Sequence, residues 1–243
     1  MTRRRICKRE KTDEMDTPMD TFLLDQRPIP FQPGDSVLRA ARAAGVDIPH
    51  LCFHPEFSAH GSCRVCTVRA DGRPVAACTL PAHAGLVVES ETEDLRTLRR
   101  AVVQMLFAEG NHFCPACEKS GDCQLQTLGY RLGVTTAGFR QVFPDRPVDA
   151  SHPDMLLDSN RCILCELCVR ASREVDGKAV FALGGRGLDK HLLVNAASGR
   201  LGDTDFSVDD AAARICPVGA LLKKRVGFSV PIGARAVDQG SAP

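Results

Sequence analysis

The sequence predicts an α+β chain made of three small units in succession, and three observations carry that prediction. Between Thr21 and Ser90 short β-type runs surround one helical stretch; residues 92–110 form a helical pattern leading into a cysteine-rich segment; and from about 150 to 225 apolar and helix-prone segments surround a further cysteine group. With 243 residues, 44% hydrophobic and 25% charged, the composition is that of a globular protein of one large or two to three small domains, and it excludes disorder and collagen. There are 12 cysteines but no Trp, one Tyr and 5% aromatic residues, so something other than large rings holds the core together.

The elements follow in chain order. Residues 1–19 read as a flexible charged tail, because the basic tip MTRRRICKREK is answered by DEMDTPMD and the charges nearly cancel. In 20–92 the runs TFLLD, RPIPF, RVCTVRA, PVAACTL and GLVVES read as strands, with ADGRP (70–74) as a turn between two of them. One helix interrupts them at 36–44: Asp35 or Ser36 caps it, Ala, Leu and Arg fill it, and Gly45 stops it. Strands around one helix predict a β-grasp. The next unit, 93–148, opens on TEDLRTLRRAVVQMLFAEG (92–110), with an acidic start, apolar residues at Leu95, Leu98, Val102, Met105 and Leu106, and Gly110 as terminator. In 149–228 the apolar segments are AVFAL and HLLVN and the helix-prone one is DDAAARI; 229–243 reads as a C-terminal tail.

Eleven of the 12 cysteines fall into three groups, and Cys7 alone is left over. Arg3-Arg4-Arg5 is not followed by an apolar run, and stretches such as AVVQMLFA (101–108) fall far short of the roughly 20 residues that cross a bilayer, so neither export nor a membrane span is expected. In the cytoplasmic, reducing setting this implies, cysteine groups bind metal or do catalysis rather than form disulfides. Pairs two residues apart recur as CRVC, CPAC, CILC and CELC. As disulfides they close loops too short to stabilise much; as thiolates they converge on one centre from a tight loop. Zinc, in a zinc-stabilised interaction module, is the plainer occupant. The run C-x2-C-x2-C with a remote Cys-Pro favours iron–sulfur, because it is half of the bacterial ferredoxin pattern for a [4Fe-4S] cluster.

The first group, Cys52, Cys63, Cys66 and Cys78, is spaced C-x10-C-x2-C-x11-C. It departs from the plant-type order but keeps its outline, one loop giving three thiolates and a later strand the fourth, so a [2Fe-2S] cluster is expected. His54 reads as a loop histidine, since no Cys-x2-His follows to complete a Rieske set. The second group, Cys114, Cys117 and Cys123, lacks a fourth cysteine. His112 is the candidate to complete a [4Fe-4S] set; the competing reading makes it a surface histidine. A neutral imidazole in place of a thiolate removes one negative charge and makes reduction easier. The third group, Cys162, Cys165, Cys168 and Cys216, completes one [4Fe-4S] set. In the two-cluster pattern a cysteine stands four after the third, where this chain has Ser172, and counting back from Cys216 gives Ala212, Asp209 and Phe206. The unit therefore reads as ferredoxin-like with one cluster and one filled-in site. The inventory is one [2Fe-2S] and two [4Fe-4S] clusters, about ten iron atoms by addition, with Cys7 dispensable.

No substrate-converting site is legible: there is no P-loop, no complete G-x-G-x-x-G, and no Ser/His/Asp set, and GGRG (184–187) reads as a turn. A net charge of +1 gives no field to collect nucleic acid or an anionic membrane. What remains is an electron relay.

The order of these motifs resembles the N-terminal part of the large iron–sulfur subunit of respiratory complex I and the accessory domains of [FeFe] hydrogenases. Those chains continue into larger domains. A chain of this length with LFAEGNHFCPACEKSGDCQLQ and ICPVGALLKKRVGFSVPIGAR resembles the diaphorase iron–sulfur (gamma) subunits of soluble NAD-reducing [NiFe] hydrogenases, over about residues 20–235. In the wider group the histidine stands four residues before the first cysteine, where this chain has Gly110; His112 stands two before, a variant of the hydrogenase branch. The resemblance implies a hetero-oligomer: an FMN- and NAD-binding diaphorase subunit exchanges hydride with NAD(H), this chain relays single electrons, and hydrogenase small and large subunits split or make hydrogen. The same relay in an NAD-dependent formate dehydrogenase or a complex I-like assembly is the alternative.

Overall fold

The structure is a computed structural model that describes residues 20–136, 138–235 and 238–239. Cys7 and the tail expected over 1–19 lie outside the described residues, as does part of the tail expected over 229–243.

Strands β1 (Thr21–Leu24), β2 (Arg27–Pro30), β3 (Thr67–Ala70), β4 (Arg73–Ala76) and β5 (Val87–Glu89) form one mixed sheet in the order β2-β1-β5-β3-β4. β1 runs parallel to β5, with Leu23 beside Val87, and the other pairings are antiparallel. Both hairpins turn through two residues of left-handed backbone, Asp25-Gln26 (φ 48° and 67°) and Asp71-Gly72 (φ 46° and 77°). Two successive positive φ values match the right-handed twist of the flanking strands. Alternation along β1 sends Phe22 and Leu24 inward, where Ile29, Val68 and Val88 meet Val37, Leu38, Ala40 and Ala41 of helix α1 (Val37–Ala43). Ser36 is the cap, its hydroxyl accepting from the Arg39 N–H at 3.3 Å.

Helix α2 (Glu93–Glu109) follows, and its buried face differs from the expected one. Leu95, Arg99, Val103 and Ala108 are buried, whereas Leu98 and Met105 are exposed. An arginine takes the middle of the inward stripe because Thr67 O and Ser90 Oγ accept its Nη2 hydrogens at 3.0 and 3.1 Å. Helix α3 (Gln124–Arg131) packs against α2, and Leu125 and Leu128 join Leu51, Val65 and Val103 in a second core.

Beyond it lie β6 (Val148–Asp149), β7 (Met155–Asp158), α4 (Leu167–Glu174), β8 (Phe181–Gly184), β9 (His191–Val194), α5 (Ala211–Arg214) and β10 (Leu221–Lys223). They make an antiparallel sheet β10-β7-β6 and a β8-β9 hairpin joined through GGRG, with α4 against α5 and β8. Their core includes Met155, Leu157, Ala171, Phe181, Leu201, Phe206 and Ala212. Three of the four positions that lack a second set of cysteines are thus filled by packing. The Ser172 hydroxyl, fully buried, accepts from Val180 N–H at 2.9 Å, and the Phe206 ring stands edge-on to Phe181 at 5.3 Å. Among the described residues no helix is long and apolar enough to cross a membrane.

Candidate metal centres

Cys52 lies on the chain leaving α1, Cys63 and Cys66 in the loop before β3, and Cys78 just past β4. Arg64, inside CRVC, holds a left-handed φ of 59°, which only a tightly constrained loop imposes on a non-glycine residue. The loop so bent brings the Cys63 N–H to Cys52 Sγ at 3.4 Å. Hydrogen bonds among the thiols polarise the group. Those from Cys63 and then Cys78 hold Cys52 far below the usual thiol range, and that from Cys78 lowers Cys66; Cys63 and Cys78 are pushed up in return. His54 stacks on Phe57 at 4.5 Å, and its Nδ1 accepts from the Glu56 N–H.

In the second group Cys114–Ala116 form one turn of 3-10 helix, Cys117 N–H donates to Cys114 O, and Cys123 caps α3. These three cysteines and His112 line one cavity with Phe107, Arg161 and Gly219. His112 Nε2 is buried, and among the described residues nothing hydrogen-bonds to it. Burial first, and the Arg161 charge second, lower its pKa to about 4, so the ring is neutral with a lone pair to give. An orphaned nitrogen of this kind costs about 1–3 kcal/mol unless something outside the polypeptide satisfies it.

In the third group Leu164 (φ 53°) and Glu166 (φ 61°) bend the chain on either side of Cys165 as it enters α4, while Cys216 follows α5. Leu164 N–H donates to Cys162 Sγ at 3.5 Å. All four cysteines line one mainly apolar cavity. Burial raises Cys162 to about 11, Cys123 to about 12, and Cys165 and Cys168 well above the usual thiol value. Thiols so buried ionise only beside a compensating cation, which suits them to a metal centre and not to free nucleophilic chemistry.

The third group touches both others, although it is last in the chain. Toward the first, Arg170 Nη2 donates to Cys52 O at 2.5 Å and to Cys165 O at 3.2 Å, and Ser62 Oγ donates to Leu164 O at 3.5 Å. Toward the second, Gln124 N–H donates to Pro217 O at 2.9 Å, and Arg161 Nη1 reaches Cys117 Sγ at 3.6 Å and Gly219 O at 3.5 Å. A Cβ on Gly219 would stand 2.7 Å from Cys117 Sγ, so this approach needs glycine. Sequence reasoning missed both arginines. The one signal was that Arg161 immediately precedes Cys162; for Arg170 there was none.

Residues 18–93 match the family described as a 2Fe-2S iron-sulfur cluster binding domain, residues 99–137 the NADH-ubiquinone oxidoreductase-G iron-sulfur binding region, and residues 155–222 the 4Fe-4S single cluster domain. The NAD-reducing hydrogenase HoxS subunit gamma of Cupriavidus necator is 39% identical over 216 residues, 88% of this chain and 92% of that protein. The chain belongs to the family of NAD-reducing hydrogenase gamma subunits. A chain of the crystal structure of an NAD+-reducing [NiFe]-hydrogenase in the H2-reduced state agrees with the family fold, with a TM-score of 0.87 at 57% identity over 92% of this chain and 96% of that one. The kinship with complex I also holds. The 78 kDa subunit of NADH-ubiquinone oxidoreductase from Candida albicans is 33% identical over 84% of this chain, which spans 28% of that relative.

Proposed function

We propose that this chain is the iron–sulfur relay of a cytoplasmic NAD-reducing hydrogenase. It carries a [2Fe-2S] cluster on Cys52, Cys63, Cys66 and Cys78, a [4Fe-4S] cluster on His112, Cys114, Cys117 and Cys123, and a [4Fe-4S] cluster on Cys162, Cys165, Cys168 and Cys216. The observation that carries the reading is the second cavity, where three cysteines share their walls with a buried, unpartnered His112 Nε2. When bound, each cluster accepts and passes on single electrons. The chain's residues do the rest. The cysteine loops present sulfur from left-handed turns, His112 offers a neutral donor, and apolar walls such as Leu157 and Leu192 keep water from the third cavity.

In this reading 20–92 is a β-grasp domain, 93–148 a helical domain and 149–228 a ferredoxin-like domain with one site, flanked by tails over 1–19 and 229–243. Its partners are an FMN- and NAD-binding diaphorase subunit and the hydrogenase small and large subunits. A formate dehydrogenase or complex I-like assembly is not favoured, because the gamma subunit matches over nearly the whole length of both chains. A zinc module is not favoured either, because all three cysteine-bearing stretches match iron–sulfur families. Anaerobic purification of the intact complex tests the proposal. We expect a copurifying nickel protein, about ten iron atoms per chain, three EPR-active centres, and no change in any of these in Cys7→Ser. Zinc in place of iron, or iron for two clusters only, would refute the assignment.

A further inference from the structure

We infer that Arg170 is the shared counter-charge of the first and third clusters, fastened to a ligand of each through the main chain and raising both reduction potentials. The inference rests on the ligand assignment proposed above. Arg170 is only 3% exposed, and its guanidinium donates to four main-chain carbonyls: Cys52 O at 2.5 Å, Cys165 O at 3.2 Å, Ser58 O at 2.7 Å and Glu166 O at 3.3 Å. None of these carries a charge. The carboxylates of its own helix and turn are engaged elsewhere: Glu166 with His60 and Lys190, and Glu174 with Arg173 and the Ser58 hydroxyl.

A buried cation held by dipoles alone is costly, and such groups are retained where a matching charge stands nearby. The negative charge that would answer this cation is that of the clusters held by the two loops whose main chain it grips. A cluster bound by four thiolates is negative, and gains one more negative charge on reduction. A fixed cation between two such centres stabilises the reduced form of each more than the oxidised form, and it softens the repulsion between electrons on neighbouring clusters. The planar fork of arginine allows one side chain to hold both loops at once, which a lysine ammonium cannot do as widely.

The test uses the complete complex, purified anaerobically, in the parent form and as R170Q and R170K. Iron and acid-labile sulfide in the parent, with its EPR signals, decide the ligand assignment independently of Arg170. In redox-titrated EPR, R170Q is expected to move the first and third potentials to more negative values and leave the middle one in place, while R170K keeps both near the parent. Unchanged potentials in a fully loaded R170Q, or a shift confined to one of the two clusters, would overturn the inference. If R170Q loses a cluster, R170K decides: retention of both clusters at parent-like potentials supports the counter-charge, and loss of a cluster from R170K as well reduces Arg170 to a structural fastener.

Discussion

Gly110 gives the His112 ring its place: a Cβ on residue 110 would stand 2.5 Å from His112 Nε2 and 3.1 Å from Asn160 O. The backbone at Gly110 is extended, with φ −121°, so the glycine is needed for space and not for conformation. A side chain on residue 110 and the imidazole of residue 112 would compete for one volume, so a ring placed as His112 is needs glycine at 110. Gly110→Ala is expected to push the ring from the cavity and cost the middle cluster its EPR signal, with the other two intact. Three unchanged signals would show that the ring finds another route.

His112 itself separates ligand from bystander. His112→Cys is expected to keep a cluster at a lower potential, because a thiolate adds negative charge and favours the oxidised state. His112→Ala should leave one iron exposed and the cluster labile. If both variants titrate like the parent, the imidazole is not a ligand.

The cysteine sets were legible in the sequence because Cys-x2-Cys spacing is a local constraint, and local turns such as Asp71-Gly72 were legible for the same reason. Cys216 was legible only through its neighbour Pro217 and the incompleteness of the set at 162–168. Long-range relations were not. The short strands β6, β7 and β10 exist because they pair with one another, and their few residues carry no alternation of their own. The expected stripe on α2 counted only apolar residues and so missed Arg99, whose burial depends on acceptors in a distant strand and loop. Arg161 and Arg170 likewise acquire meaning only when separate loops meet.

Arg99 supplies a prediction about stability. Its side chain is 1% exposed and supports Thr67 O and Ser90 Oγ, while its ionic partner Glu91 is 43% exposed. Arg99→Met keeps much of the volume but leaves both acceptors without their donor, an expected loss of about 1–3 kcal/mol. Arg99→Ala adds a cavity and should cost more. Glu91→Gln should cost less than about 1 kcal/mol, because an exposed carboxylate contributes little. Thermal unfolding of the three variants checks the order, and a Glu91→Gln loss equal to that of Arg99→Met would mean that the ion pair dominates.

Arg161 gives the sharpest test of how the protein tunes one cluster. Its guanidinium lines the second cavity and lies 3.6 Å from Cys117 Sγ, while Glu118 and Asp158 each hold it at 2.9 Å. Two carboxylates outweigh one guanidinium, so the local net charge is negative. On the proposed assignment of Cys117 as a ligand, Arg161 acts through a directed N–H to sulfur contact that draws density from the thiolate. Arg161→Gln is expected to lower the potential of the middle cluster, to affect the third less, and to leave the first unchanged, because among the described residues Arg161 contacts the second and third groups and not the first. Glu118→Gln should move the middle potential the opposite way, since it removes the negative charge paired with the guanidinium that contacts this sulfur. The two substitutions are close in space and share a partner, so the double variant should not show their simple sum. Redox-titrated EPR of the three proteins reads all of this directly. Shifts of the same sign in both single variants would mean that the loop has merely moved, and a shifted first cluster would mean that the three sites are not electrostatically separate.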